Sequence, residues 1–253
     1  MIPLILALEF LFDQIILPLI YGFTYELIFH QGVHTNYILF LNIFKILSIF
    51  VILILNHYII GQKLYLKPDF AEFGWQIFIF ICLLIIAISV KGQHFWLALD
   101  IGIIAALPEE IMFRGVIMGW ILEKLASVKQ TYFNVYLALA IASIAFGLIH
   151  YVNLAQQSFG FTSLQVLNAI GIGVILGAIY IKTGSLLIPI AFHFVYDFAA
   201  TLSQGMPETH YVAISTPQVV FQIVWFVVQA WIAFSIVHYH FENNLLLQKI
   251  EKK

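Results

Sequence analysis

Six side chains in the middle of the sequence combine types and spacings that do chemistry. Glu109 and Glu110 are adjacent, and Arg114 follows Glu110 by four residues. Arg114 is the single arginine among 11 Lys and Arg residues. On a helix Glu110 and Arg114 share a face, in the acid-then-base order that pairs best, while Glu109 is rotated by about 100° and points elsewhere. This spacing divides the labour: Glu110–Arg114 as an internal ion pair, Glu109 as a carboxylate left for reaction. Further on lie His150, in Phe146-Gly147-Leu148-Ile149-His150, and the pair His193 and Asp197, again four residues apart. A carboxylate so placed holds an imidazole in one orientation, or shares a metal with it. Each motif alone has a plainer reading: a charge network joining helices, a histidine at a helix end, a structural His–Asp hydrogen bond. Together they put carboxylates and imidazoles within one set of helices, as water activation by a general base or through a metal requires.

The elements that carry these groups are membrane spans. The chain has 253 residues, 62% hydrophobic and 9% charged, with a mean hydropathy of +1.00. Soluble domains have about 45–50% apolar and about 25% charged residues, so the expected fold is an all-α polytopic membrane protein. About eight hydrophobic stretches, near 2–29, 36–60, 73–90, 95–121, 133–150, 164–181, 185–203 and 217–240, are long enough to cross a bilayer at about 20 residues each. A charge at the centre of such a span costs about 2.5–3.5 kcal/mol on insertion scales, so Glu109, Glu110 and Arg114 call for partners. Pro108 frees a carbonyl one turn back and loosens the helix beside them. Gly173 and Gly177 form a small face for close helix approach. For His150 to reach the others, its span must start later than Tyr132 or run tilted. Glu9, Asp13 and Glu26 in the first span either line a water-filled entrance or sit near the interface. His30, His34, His57, His94, His210, His238 and His240 fall at span ends or in loops and receive no chemistry.

No repeat or linker divides the chain, so residues 1–253 read as a single membrane domain. Lys63, Lys67, Lys124, Lys129, Lys182, Lys249, Lys252 and Lys253 fall on one side of an eight-span topology and Lys91 on the other. The positive-inside rule then puts both termini in the cytoplasm. Trp75, Trp96, Trp120 and Trp225 near span ends fit interfacial anchors or lipid-facing aromatics. Cys82 is the one cysteine, so no internal disulfide forms. No basic patch suits a nucleic acid; the expected partner is the lipid bilayer. The start of the sequence lacks the marks of a cleaved signal peptide, so the first span is expected to be retained.

The motifs resemble a known family. Glu109-Glu110-Ile111-Met112-Phe113-Arg114 resembles the E-E-x-x-x-R motif of the CPBP intramembrane proteases, the CAAX-protease and bacteriocin-processing group; Phe146 to His150 resembles its F-x-x-x-H motif and His193 to Asp197 its H-x-x-x-N/D motif. The resemblance, which covers 95–203, implies an eight-helix intramembrane endopeptidase with its catalytic core at 95–203 and a peptide or membrane-protein substrate. It makes Glu109 the activator of water with help from His150, gives His193 with Asp197 the stabilisation of the oxyanion, and leaves Glu110, Arg114 and Phe146 to shape the site. The prenyl endopeptidases of the family carry Asn where Asp197 stands, which favours an orienting or cation-binding role for Asp197. The family is often called one of metalloproteases, so zinc on His150 and His193 belongs among the implied cofactors, although no H-E-x-x-H motif occurs. The composition leans towards a member in a bacterial plasma membrane. Two other readings are a non-enzymatic immunity protein that binds a bacteriocin-like peptide and a proton-coupled transporter. Against the transporter stand the absence of an inverted repeat and a single cluster of intramembrane charge.

Overall fold

A computed structural model of the chain describes residues 1–29, 37–67, 80–81, 84–85, 89, 94–126, 130–205 and 214–252. Among these the secondary structure is helical throughout, in an all-α membrane protein. Helix α1 (Ile2–Leu11) passes through a π turn, Phe12–Ile16, into α2 (Leu17–Phe29). Helix α3 (Tyr37–Leu55) ends in a second π turn, Asn56–Ile60. Helix α4 (Phe95–Glu110) continues as a π segment, Ile111–Met118, into α5 (Gly119–Ala126). Then come α6 (Tyr132–Ile149), a 3-10 turn (His150–Ala155), α7 (Phe159–Thr183), α8 (Leu187–Gln204), α9 (Thr216–His238) and the short α10 (Leu245–Glu251). The expected span 73–90, with Trp75 and Cys82, lies almost wholly outside the described residues, as do His30, His34, Lys91, Lys129, His210 and the side chain of Glu26.

Among the described residues, five stretches are long and apolar enough to cross a membrane: Ile2–Phe23, Leu41–Ile60, Tyr132–Ala155, Phe159–Thr183 and Thr216–His238. The protein is an integral membrane protein. Several boundaries have a local cause. Thr131 caps α6 by accepting from the Asn134 N–H at 3.2 Å, and Ser158 caps α7 by accepting from Phe161 N–H at 3.4 Å. Helix α7 ends at Gly184, whose φ of 58° is one that a residue with a Cβ rarely adopts. Pro217 stands in the first turn of α9, where its missing N–H costs nothing, and the Gln218 side chain accepts from the Ser215 N–H at 2.8 Å.

The interior is built on the π segment. Met112, Phe113, Val116, Ile117 and Met118 are buried and pack with Val135, Ala138 and Phe146 of α6, Tyr180 and Ile181 of α7, and Ile5 and Ile52 of α1 and α3. Around this centre α4 lies along α8, and α7 lies between α6 and α9. The outward face of α9, with Phe221, Val224, Val227 and Trp231, is exposed and apolar, as a lipid-facing surface requires. Trp96 and Trp225 are also exposed.

The lysine-bearing loops meet at one end of the bundle. Lys249 of α10 donates to the carbonyls of Gly184 at 2.7 Å and Lys67 at 3.4 Å, and Gln130 donates to the Leu247 carbonyl at 3.0 Å. Gln62 donates to Glu123 at 2.8 Å. Leu246 and Leu247 of α10 are buried under this end.

Candidate active site

The last turn of α4, the π segment, the end of α6 and the middle of α8 surround one polar centre. Glu110 is fully buried, and one of its oxygens, Oε1, accepts from Arg114 Nη1 at 2.6 Å and lies 2.8 Å from His193 Nδ1. Since a carboxylate accepts, His193 donates from Nδ1. The other ring nitrogen, Nε2, faces Asp197 Oδ2 at 3.3 Å and Glu109 Oε2 at 3.8 Å. The Glu109 side chain keeps 21% of its surface accessible while that of Glu110 keeps 0%. The local pair read from the sequence is therefore present, and Glu110 does more than that reading gave it: it also fixes the histidine of another helix.

Phe146 forms the floor. The Arg114 guanidinium lies 4.3 Å from its ring centroid, in cation–π contact. Phe113, His150 and His193 meet the same ring edge-on, at centroid distances of 5.2, 5.1 and 5.9 Å. Gly173 makes room for this stack. A Cβ there would stand 3.2 Å from Arg114 Nη2, 3.1 Å from Ser143 Cβ and 3.3 Å from the Phe146 ring. Gly177, one turn on, instead packs against Leu139 and Met118.

His150 sits apart from the carboxylates. Helix α6 begins at Tyr132 and ends at Ile149, so its start is not delayed, and His150 opens the 3-10 turn that follows. Its Nδ1 lies 2.9 Å from the Phe146 carbonyl, which only accepts, so Nδ1 carries the hydrogen and Nε2 is left as the acceptor nitrogen. Phe146, and no direct polar contact, links its ring to His193.

This donor set does not fit a zinc ion. His193 has Glu110 at one ring nitrogen and Asp197 and Glu109 at the other, and His150 meets it only through a shared benzene ring. Among the described residues no three His, Cys, Asp or Glu side chains gather as ligands.

A second charged cluster lies on the first helices and corrects the expectation of one. Asp13, in the first π turn, pairs with Lys45 of α3 at 3.2 Å and accepts from Ser48 Oγ at 2.8 Å. Nearby, Asn42 donates to Asp100 of α4 at 3.1 Å. Lys45 escaped the sequence reading; the available signal was a lone lysine midway along an apolar span. Intramembrane charge is thus not confined to one cluster.

Residues 91–199 match the family model described as type II CAAX prenyl endopeptidase Rce1-like. Over that segment the chain resembles the Rce1-like endopeptidases. This is consistent with the CPBP resemblance, and the match runs from just before α4 into α8, taking in all three motifs. At family level the Rce1-like domain is that of an intramembrane endopeptidase. No curated protein and no solved structure matches the chain.

Proposed function

We propose that the protein is an intramembrane endopeptidase that hydrolyses a peptide bond of a membrane-associated peptide or protein, with Glu109 activating the water. The observation that carries this reading is the 3.8 Å gap between Glu109 Oε2 and His193 Nε2. It is too long for a direct hydrogen bond, yet one water oxygen at about 2.8 Å from each atom fits between them. Glu109 takes a proton from that water as its oxygen attacks the carbonyl carbon. His193, whose Nδ1–H is taken by Glu110, turns its Nε2–H to the developing oxyanion, with Asp197 and Glu110 holding the ring in orientation. Glu109 then returns its proton to the nitrogen of the leaving amine as the C–N bond breaks, and is a carboxylate again. His150, through Nε2, assists from the far side of Phe146. No step passes through a metal.

The same reading makes residues 1–253 one membrane domain with 95–203 as its catalytic core, in a bacterial plasma membrane with both termini cytoplasmic. The convergence of Lys67, Lys182 and Lys249 on one end of the bundle supports that topology.

The test is cleavage of a membrane-associated reporter peptide by purified protein in liposomes. Glu109→Gln is expected to lower the rate by about 10²–10⁴-fold, the range for a lost general base, while the variant melts like the wild type. Wild-type cleavage by Glu109→Gln would overturn the reading.

A further inference from the structure

Beside the reaction centre a strip of amide and hydroxyl side chains crosses α7, α8 and α9. It begins at Asn153, in the 3-10 turn opened by His150, where side chains three residues apart eclipse one another. Asn153 Nδ2 donates to Gln165 Oε1 of α7 at 3.0 Å. Gln165 and Asn168 stand three residues apart, as neighbours on the surface of α7. Asn168 Nδ2 donates to the Tyr196 hydroxyl of α8 at 2.6 Å, and Gln222 Nε2 of α9 donates to Asn168 Oδ1 at 3.4 Å. Tyr196 directly precedes Asp197 and follows His193 by three residues of the same helix. The strip therefore runs from the turn that holds His150 to the helix that holds His193 and Asp197. No step of the hydrolysis uses it.

The strip is polar where polarity is costly. Asn168 lies well inside the apolar span Phe159–Thr183, and Tyr196 is 40% exposed. Hydrogen bonds between helices add little stability in a bilayer, because separated helices find other partners. Joining helices is therefore a weak reason to keep these groups. Their bonding capacity gives a better one. Among the described residues, the Asn168 amide has a second N–H to give, the Tyr196 hydroxyl has accepted and keeps its own hydrogen, and Gln222 keeps its Oε1 as an acceptor. A peptide backbone offers the converse, one N–H and one C=O at each residue. In hydrocarbon those groups must be bonded, so a peptide held extended for cleavage is stable there only where the protein supplies the partners.

We propose that Asn168, Tyr196 and Gln222, continued by Gln165 and Asn153, are substrate-binding residues that pair with the backbone of an extended peptide segment beside the bond to be cut. The substrate class rests on the endopeptidase reading. A segment lying along the strip has His150 at one end and His193 with Asp197 at the other, so a histidine set apart from the carboxylates by Phe146 still meets the same substrate. Recognition through backbone groups is indifferent to side-chain sequence. It selects unwound chain over helix, whose amides already bond one another.

That selection is what the experiment reads. Two fluorescent leucine-rich peptides of membrane-spanning length are compared in liposomes, one helical throughout and one opened at its centre by a Gly-Pro pair. Binding is measured in the Glu109→Gln background, so that neither peptide is cut. The opened peptide is expected to bind at least about fivefold tighter, the scale of one or two hydrogen bonds net of solvation. Tyr196→Phe, which removes one hydroxyl and keeps the ring, is then combined with Asn168→Leu. The pair is expected to bring that ratio to about one while the helical peptide binds as before. If the strip only joins helices, the variants melt lower and the ratio stays where it was, and that result would overturn the proposal. Equal binding of the two peptides to the unaltered strip would overturn it too. Should Asn168→Leu not fold, Tyr196→Phe by itself carries the same outcomes. Cleavage of the reporter peptide is assayed separately. If Glu109→Gln cuts like the wild type, the hydrolase reading falls, and the binding ratio, taken before cleavage sets in, still decides the strip.

Discussion

Glu110 is the residue on which the centre depends, because one oxygen serves both Arg114 and His193. Arg114→Met leaves that carboxylate buried against an apolar chain. Breaking a buried pair in this way costs about 3–5 kcal/mol, which thermal unfolding in detergent will register as a lowered Tm. Because Arg114 and His193 share the oxygen, their effects should not add: a double-mutant cycle between Arg114→Met and His193→Ala is expected to show a coupling of about 0.5–3 kcal/mol. The Glu110–Arg114 pair was legible in the sequence since four-residue spacing on a helix is local information. The contact from Glu110 to His193 was not, since it joins residues 83 positions apart through the packing of α4 on α8. Lys45 was missed for the same reason: its partner Asp13 lies 32 residues away on another helix.

Among the elements, the π segment Ile111–Met118 is the least foreseeable from hydrophobic spacing. Hydrophobic spacing reads equally well as uninterrupted α-helix, and only Pro108 hinted at irregular backbone. A π geometry adds residues to the turn and so resets which side chains face the core after Glu110. Deleting Val116 should let the segment relax towards α-helix and rotate Gly119 onward against Glu109 and Glu110. The expected outcome is lost cleavage with helical content, by circular dichroism, close to that of the wild type. The close approach of α7 was better foreseen, as a small face at Gly173 and Gly177. What the spacing did not reveal is that Gly173 borders the guanidinium while Gly177 only packs. Gly173→Val should therefore cost about 1–3 kcal/mol from overpacking and also lower the cleavage rate by displacing Arg114. Gly177→Val should cost stability with a smaller effect on rate per unit of stability lost.

For the molecule as a whole, composition was enough to identify an all-α membrane protein, because apolar length and scarce charge are properties of each span by itself. How the spans assemble was not readable, and that is why His150 stands beyond Phe146 and a second charged cluster appears beside the first. The donor geometry at His150 and His193 makes a global prediction about metal: dialysis against a chelator is expected to leave cleavage of the reporter peptide within twofold. A loss reversed by added zinc would refute this. The helix α10 has a consequence of a different kind. It closes the end of the bundle by bonding to carbonyls at Lys67 and Gly184 and by burying Leu246 and Leu247. These residues emerge from the ribosome only after every helix they close over. During biosynthesis that end must stay open until translation has passed residue 251, so the nascent chain is assembled in the bilayer before it is sealed. A chain cut short at residue 244 would carry all its reactive side chains and still present quality-control proteases with an open seam.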